Sequence, residues 1–442
     1  MGLFFGTDGM RGIVGKNLTF EMVYRCGVSL ALQKKGSKIL LGKDTRKSGD
    51  VLSLIFAAGA ISEGAYVEDM GVCPTAAIGY LTKKCGFDFG VVVSASHNSF
   101  EYNGIKIFDK NGRKINEELE KELEKTLFYR RESFEASQYG EYIKSKQKLK
   151  LYEYFLLKTT KSLEGLKIVL DCANGASCFV AEKIFKKLNA NVLMVNNSPN
   201  GLNINEQCGA LYVEQIRELV VNNNADMGFS FDGDADRLIA VDEYGNVIDG
   251  DMIILMFATE YLKTQKLNQK IIVGTYLTNS GVEEELNKIG IELIRTDVGD
   301  KFIDQVLEKN NLIIGGEQCG HVFLKDKLTT GDGILNAILI AHICKVNNKK
   351  LSQFFQFKKH KQVYKNVVVK NKNIILNCKN VKNIINNLQI KYKNLKIILR
   401  PSGTEQVVRI MVESKDKTLA ENIAEKLEKL IKEINEGDLC VE

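Results

Sequence analysis

Three carboxylates stand at i, i+2 and i+4 in Phe231-Asp232-Gly233-Asp234-Ala235-Asp236-Arg237, between the apolar runs Met227 to Phe231 and Leu238 to Val241. Gly233 and Ala235 are too small to shield the acids, and the segment reads as a bend between two strands. Carboxylates this close repel one another unless a cation sits between them. Hard oxygen ligands suit Mg²⁺ or Ca²⁺ better than zinc. The spacing also fits positions 1, 3 and 5 of an EF-hand loop, with Glu243 at position 12, but Arg237 stands where that loop needs its glycine and the flanks read as strands. A solvated acidic turn is the plainer alternative.

Ser94-Ala95-Ser96-His97-Asn98 follows the apolar run Phe89 to Val93. Active sites of open α/β sheets gather at strand carboxyl ends, where this polar pentapeptide falls. A Ser-His-Asp hydrolase is one reading, yet neither a G-x-S-x-G elbow nor an obvious triad histidine is present. A serine carrying a phosphoryl group, with the acidic loop holding a cation against it, is a second. A polar loop that caps the next element is a third. Gly6-Thr7-Asp8-Gly9-Met10-Arg11-Gly12 reads either as a tight turn or as an anion nest in which Arg11 grips a phosphate by two hydrogen bonds. Gly315-Gly316-Glu317-Gln318-Cys319-Gly320-His321 offers a carboxylate, a carboxamide and an imidazole to sugar hydroxyls, or is a plain βα turn. Arg400-Pro401-Ser402-Gly403-Thr404-Glu405, with Arg409 beyond it, has the make-up of a site for a phosphate that does not react, or of an ordinary Pro-Ser-Gly turn.

The elements that must position these loops repeat weakly. Lys38-Ile39-Leu40-Leu41, Lys167-Ile168-Val169-Leu170 and Lys270-Ile271-Ile272-Val273 are short buried-strand patterns, each followed by a polar, glycine-containing loop and a helix-like stretch. A fourth copy, Lys396 to Leu399, precedes Arg400. The unequal spacings exclude a solenoid and predict three α/β units, each opening with a strand and a crossover helix. In the first unit the pattern predicts a helix capped by Ser48 and running to about Glu63, a strand over 65–69, a helix after Pro74 and a buried strand over 89–93. The charged stretch 114–148 reads as a helix. A strand is expected over 312–314 before the Glu317 loop, and a helix from Met252 after Asp249-Gly250-Asp251. The Lys/Asn-rich section 345–373 reads as the passage into a last domain closed by an amphipathic helix over about 418–433.

The chain has 442 residues, 44% hydrophobic and 26% charged, with a formal charge of +6, and so has the make-up of a soluble globular protein of several domains. Without a basic arm it suggests no nucleic-acid partner. No apolar run is long enough to span a bilayer and no signal-peptide pattern opens the sequence, so no membrane partner and a cytoplasmic location are expected. Ten scattered cysteines without a Cys-x-x-Cys pair, and only four histidines, point to neither zinc nor a disulfide scaffold but to a reducing compartment.

Together, and in their order along the chain, the five motifs resemble those of the α-D-phosphohexomutase superfamily, over its whole length. Gly6 to Gly12 and Glu317-Gln318 look like the bacterial phosphoglucosamine mutases within it. The resemblance implies three similar α/β domains with mixed, helix-covered sheets (1–150 with the phosphoserine loop, 151–247 with the Mg-binding loop, 248–360 with the sugar loop) and a smaller C-terminal α+β domain (361–442 with the phosphate loop). It implies that Ser96 carries the phosphoryl group and binds Mg²⁺ together with Asp232, Asp234 and Asp236. Glu317, Gln318 and Cys319 would read the sugar; Arg400, Ser402, Gly403, Thr404 and Arg409 would hold the far phosphate. Lys106 and His321 would handle the proton, Arg11 would balance phosphate charge and His97 would shape the serine loop. The implied substrate is a hexosamine phosphate, with glucosamine 1,6-bisphosphate as intermediate and UDP-N-acetylglucosamine and cell-wall synthesis downstream. Phosphomannomutase/phosphoglucomutase activity and a non-catalytic sugar-phosphate-binding relative are the alternatives. Homodimers are common among such enzymes. Two departures stand out: Cys319 replaces the usual Ser, and Gln406 the usual Pro.

Overall fold

A computed structural model describes residues 6, 9–126, 139–402 and 406–436. The chain forms two compact units, Met1–Thr275 with Thr296–Gln356, and Tyr276–Arg295 with Phe357–Glu442.

The first unit begins with six strands: β1 (Met10–Ile13), β2 (Lys38–Lys43), β3 (Tyr66–Val72), β4 (Phe89–Val93), β5 (Tyr102–Phe108) and β6 (Glu141–Lys144), ordered β1-β5-β4-β2-β3-β6. β2 runs parallel to β3 and β4, and β5 is antiparallel to both β4 and β1. Every residue of β4 is buried, because both faces of the sheet are covered. Ile39, Leu41, Val91, Val93, Ile105 and Ile107 pack with Leu52 and Phe56 of the helix Gly49–Ser62. On the other face the helix Thr75–Cys85 comes so close that a Cβ at Gly90 would meet Thr82 Oγ1 at 2.2 Å. Double coverage turns β4 into an unbroken apolar run that ends at the serine loop.

Two expectations in this region change. Ser48 precedes the helix Gly49–Ser62 but makes no side-chain cap; its hydroxyl accepts a hydrogen bond from Asn103 Nδ2 at 2.9 Å. The stretch 114–148 is not one helix. A helix covers Glu117–Thr126, and Glu141–Lys144 is instead edge strand β6, parallel to β3. Tyr142 packs against the core there, and one such anchor is enough to seat a short polar edge strand.

The second sheet contains β7 (Lys167–Asp171), β8 (Asn191–Val195), β9 (Met227–Phe231), β10 (Leu238–Asp242) and β11 (Val247–Ile248), ordered β11-β10-β9-β7-β8. β9 and β10 form an antiparallel hairpin closed by the pair Phe231 and Leu238, so the acidic segment is the hairpin loop. The helix Gly250–Lys263 follows, and the Asp249 carboxylate accepts from Met252 N at 3.3 Å.

Further along lie β12 (Ile271–Thr275), β13 (Glu292–Thr296), β14 (Ile314–Gly316) and β15 (Val322–Leu324). β14 is parallel to β12 and antiparallel to β15. The strand expected over 312–314 starts only at Ile314, because Leu312 N still bonds Leu307 O at 2.8 Å to finish the preceding helix.

The second unit holds an antiparallel sheet of β16 (Lys361–Val368), β17 (Lys396–Pro401) and β18 (Val407–Ser414), ordered β16-β18-β17. Val408, Ile410 and Val412 pack with Ala424, Leu427 and Ile431 of the closing helix Lys417–Glu436. The Lys/Asn-rich passage is thus more than a connector: β16 lies within it. Three α/β sheets and an antiparallel C-terminal domain make up the fold. Among the described residues, no helix is long and apolar enough to cross a membrane.

Candidate active site

Ser96 sits at the carboxyl end of β4 with φ 52° and is 1% exposed. A non-glycine residue in the left-handed region is strained, and such strain persists only where the surroundings over-determine it. Arg46, buried after β2, does much of this. It pairs with Asp44 at 2.9 Å and donates to the carbonyls of Ser96 (2.9 Å), Asn98 (2.8 Å) and Tyr102 (2.9 Å). Ser94 Oγ donates to Asp44 Oδ2 at 2.6 Å and accepts from Ser96 N at 2.9 Å. Asn205 Nδ2, from the second domain, reaches the Ser96 and Asn98 carbonyls at 2.9 Å each. His97 Nδ1 lies 3.4 Å from Ser96 Oγ, and Arg11 Nη1 donates to Asn98 Oδ1 at 3.1 Å.

The hairpin loop meets this serine. Ser96 Oγ donates to Asp232 Oδ2 at 2.5 Å. Asp232, Asp234 and Asp236 are all buried and offer ligand oxygens within 4.8 Å of one another. Lys106 Nζ, on β5, bonds Asp234 Oδ2 at 2.6 Å and Asp236 Oδ2 at 2.8 Å. Thr75 Oγ1 donates to Asp234 Oδ2 at 2.5 Å. The other oxygens, Asp234 Oδ1 and Asp236 Oδ1, are buried without a hydrogen-bond partner. Burial, then Asp236 and Asp234, pushes the Asp232 carboxyl well up. Burial opposes ionisation of Asp236 too, but Lys106, His321 and Arg237 outweigh it and hold that group well below the usual range. An oxygen-only set of three buried carboxylates, with two oxygens that accept no hydrogen bond, fits a hard divalent cation such as Mg²⁺.

The loop after β14 reaches the same cluster. His321 Nδ1 lies 3.6 Å from Asp236 Oδ1 and its Nε2 3.5 Å from Asp300 Oδ2. Burial disfavours the imidazolium, yet the two aspartates prevail and raise its pKa. Glu317 Oε1 accepts from Gly299 N at 2.9 Å, and Cys319 Sγ donates to Glu317 Oε2 at 3.7 Å. Burial and then Asp300 push the Glu317 carboxyl up; burial lifts the Cys319 thiol to about 12. Gln318 contributes a backbone carbonyl that accepts from Gly250 N at 3.0 Å.

In the second unit, Arg400 and Arg409 are directly opposed on β17 and β18. Arg409 Nη2 donates to Ser402 Oγ at 3.4 Å, and Ser402 N closes the loop onto Val407 O at 2.8 Å. Gly403 and Thr404 lie outside the described residues.

The first unit therefore gathers Ser96, His97, Lys106, Arg11, the three aspartates, Glu317, Cys319 and His321 into one network. Sequence reasoning missed Asp44, Arg46, Thr75, Asn205 and Asp300. Asp44-Thr45-Arg46 did carry a signal, since it follows a parallel strand at its carboxyl end; the others had none.

Family models match most of the chain: phosphoglucomutase/phosphomannomutase α/β/α domain I over residues 2–133, domain II over 139–245, domain III over 249–360 and the C-terminal domain over 344–430. A phosphoglucosamine mutase of Clostridium botulinum is 43% identical over 98% of this chain and 99% of its own. One of Acetivibrio thermocellus is 40% identical over the same shares. Among solved structures, a phosphoglucomutase/phosphomannomutase family protein of Burkholderia thailandensis superposes with TM-score 0.83 at 22% identity, covering 99% of this chain and 98% of the other. The N-acetylphosphoglucosamine mutase of Aspergillus fumigatus, solved with GlcNAc-6P and magnesium, gives 0.71 at 18% identity, covering 98% and 96%. The chain belongs to the phosphoglucomutase/phosphomannomutase family and, within it, groups with the phosphoglucosamine mutases.

Proposed function

We propose that this chain interconverts glucosamine 6-phosphate and glucosamine 1-phosphate by way of a phosphorylated Ser96 and a glucosamine 1,6-bisphosphate intermediate. The observation that carries the mechanism is the 2.5 Å contact between Ser96 Oγ and Asp232 Oδ2: the first domain's serine reaches the second domain's acidic loop within the span of one shared ion.

Asp232, Asp234 and Asp236 would hold Mg²⁺, which when bound supplies positive charge beside the transferring phosphoryl group. The rest is positioning by the chain. In the first half-reaction the bond from phosphorus to Ser96 Oγ breaks and one to O1 of glucosamine 6-phosphate forms, while O1 gives up its proton. After the bisphosphate turns around, Ser96 Oγ takes the phosphoryl group from O6, and the proton returns to O6. Arg46 and Asn205 keep the serine loop still throughout. His321, held beside Asp236, is the candidate for moving the proton. Lys106 is already bonded to two carboxylates, and its ammonium is better suited to balancing charge. Arg11, through Asn98, would face the phosphate with its guanidinium, and His97 would limit where Ser96 Oγ points. Glu317 and Gln318 would read sugar hydroxyls. Arg400, Ser402 and Arg409, with Gly403 and Thr404, would grip the phosphate that is not transferred, whichever carbon bears it.

The test is a coupled assay with Mg²⁺ on glucosamine, glucose and mannose phosphates. Turnover highest on glucosamine 6-phosphate and abolished by a chelator supports the reading; preference for mannose 1-phosphate replaces it with a phosphomannomutase.

A further inference from the structure

The network around His321 ends on a pair of residues that no motif singled out. Asp300 opens the helix Asp300–Lys309, and Gly299 before it has φ 137° and ψ 133°, a conformation that favours glycine. This one turn serves two loop residues: Gly299 N bonds Glu317, and the Asp300 carboxylate stands at His321 Nε2. Lys114 Nζ, from the return of β5 in the first domain, pairs with Asp300 Oδ2. The Asp300 and Lys114 side chains are only 10% and 17% exposed. Thr329 Oγ1 fastens the same return at Gly112 O, 2.6 Å away. Gly331 abuts the imidazole, where a Cβ would come within 2.5 Å of His321 Nε2.

Between the return and the helix lies a cavity of about 680 Å³ that Ile115, Leu119 and Phe323 line but do not fill. Besides Lys114 and Asp300, Arg113 with Glu308 and Lys301 with Glu120 form ion pairs across the same gap. We propose that Lys114 and Asp300 are positioning residues for the phosphoryl transfer: Lys114 holds Asp300, and Asp300 holds the His321 imidazole square to Asp236, so that the first domain fixes a side chain of the third. Neither residue touches the reacting atoms.

This inference rests on the proposed mutase reading for its kinetic test, and carries a second readout that does not. A displaced imidazole should lower kcat by roughly 10- to 100-fold in Asp300→Asn and about 10-fold in Lys114→Met, with KM within about twofold in both, and Lys114→Arg should recover most of the loss. A purely structural pair would lower the melting temperature and leave kcat per folded molecule unchanged. Imidazole nitrogen NMR on the full chain, with the His321 signals assigned through His321→Gln, should show them displaced in Lys114→Met and restored in Lys114→Arg. Unmoved His321 signals, or a kcat within twofold of wild type in Lys114→Met, overturn the inference. Should Asp300→Asn not fold, the Lys114 pair decides alone. Wild-type protein inactive on glucosamine 6-phosphate overturns the mutase reading instead, and the NMR comparison still decides this one.

Discussion

The serine and hairpin loops of the first unit and the paired arginines of the second handle charge in opposite ways. Around Ser96 the cations are matched to carboxylates: Arg46 has Asp44, and Lys106 has Asp234 and Asp236. Backbone strain is held there as well, at Ser96 and at Ala235 with φ 61°. On β17 and β18 two like-charged residues, Arg400 and Arg409, are directly opposed across strands, a pairing less favourable than one of opposite charges. The difference separates two tasks. A reacting centre gains from groups fixed in advance, because reorganisation at the moment of transfer is avoided. A grip on an inert phosphate, the role proposed for Arg400 and Arg409, gains from two cations set side by side for one anion.

The largest effect expected of a single change is on turnover. Ser96→Ala should lower kcat by about 10⁴-fold or more, even with bisphosphate supplied. Its melting temperature should stay close to wild type, because only the hydroxyl's contacts to Asp232 and His97 are lost; steady-state kinetics and calorimetry check both halves. Lys106→Met should destabilise the metal-free protein by about 3–5 kcal/mol, since two buried carboxylates lose their cation, and added Mg²⁺ should recover part of that in a thermal melt. Arg409→Met should do the reverse: unchanged or slightly greater stability by about 0.5 kcal/mol, together with a KM raised roughly 10- to 100-fold by loss of a charge-assisted phosphate contact. Equal destabilisation by the Lys106 and Arg409 changes would erase the contrast.

A smaller effect concerns pH. Asp332 caps the helix Gly333–Asn347, which supports the acidic loop through Gly333 N to Ala235 O at 2.9 Å. Burial lifts its carboxyl to about 6, against the bonds it accepts from Leu335 N and Tyr152 OH. The native state thus binds this proton more tightly than the unfolded chain. The stabilisation is complete below the unfolded pKa and is lost as pH rises through about 6, on the order of 3 kcal/mol in all. Denaturant titrations between those limits should show the decline, and Asp332→Asn, which still caps, should flatten it.

What could be read from the chain divides along the same physical line. Ser96, the three aspartates and the Glu317 loop were legible because each sits in a compact motif at the end of an apolar strand, where local spacing alone marks a site. Asp44 and Arg46 carried only their place after a strand, and Asn205 and Asp300 carried nothing, since each acts through partners far away in sequence: Asn205 reaches the Ser96 carbonyl across 109 positions. Strands β2, β4, β7 and β12 were legible as buried apolar runs. β6 and β16 were not, for they are edge strands rich in charged residues whose alternation carries little hydrophobic contrast.

The central claim is that Ser96 holds the phosphoryl group that passes to the sugar. Peptide mapping by mass spectrometry of the purified chain, before and after exposure to unlabelled glucosamine 6-phosphate following ³²P loading from labelled bisphosphate, tests it most directly. The account predicts label on the peptide containing Ser96 alone, leaving it for sugar phosphate on addition of substrate. Label on any other residue, or label on Ser96 that substrate cannot remove while turnover proceeds, would contradict it.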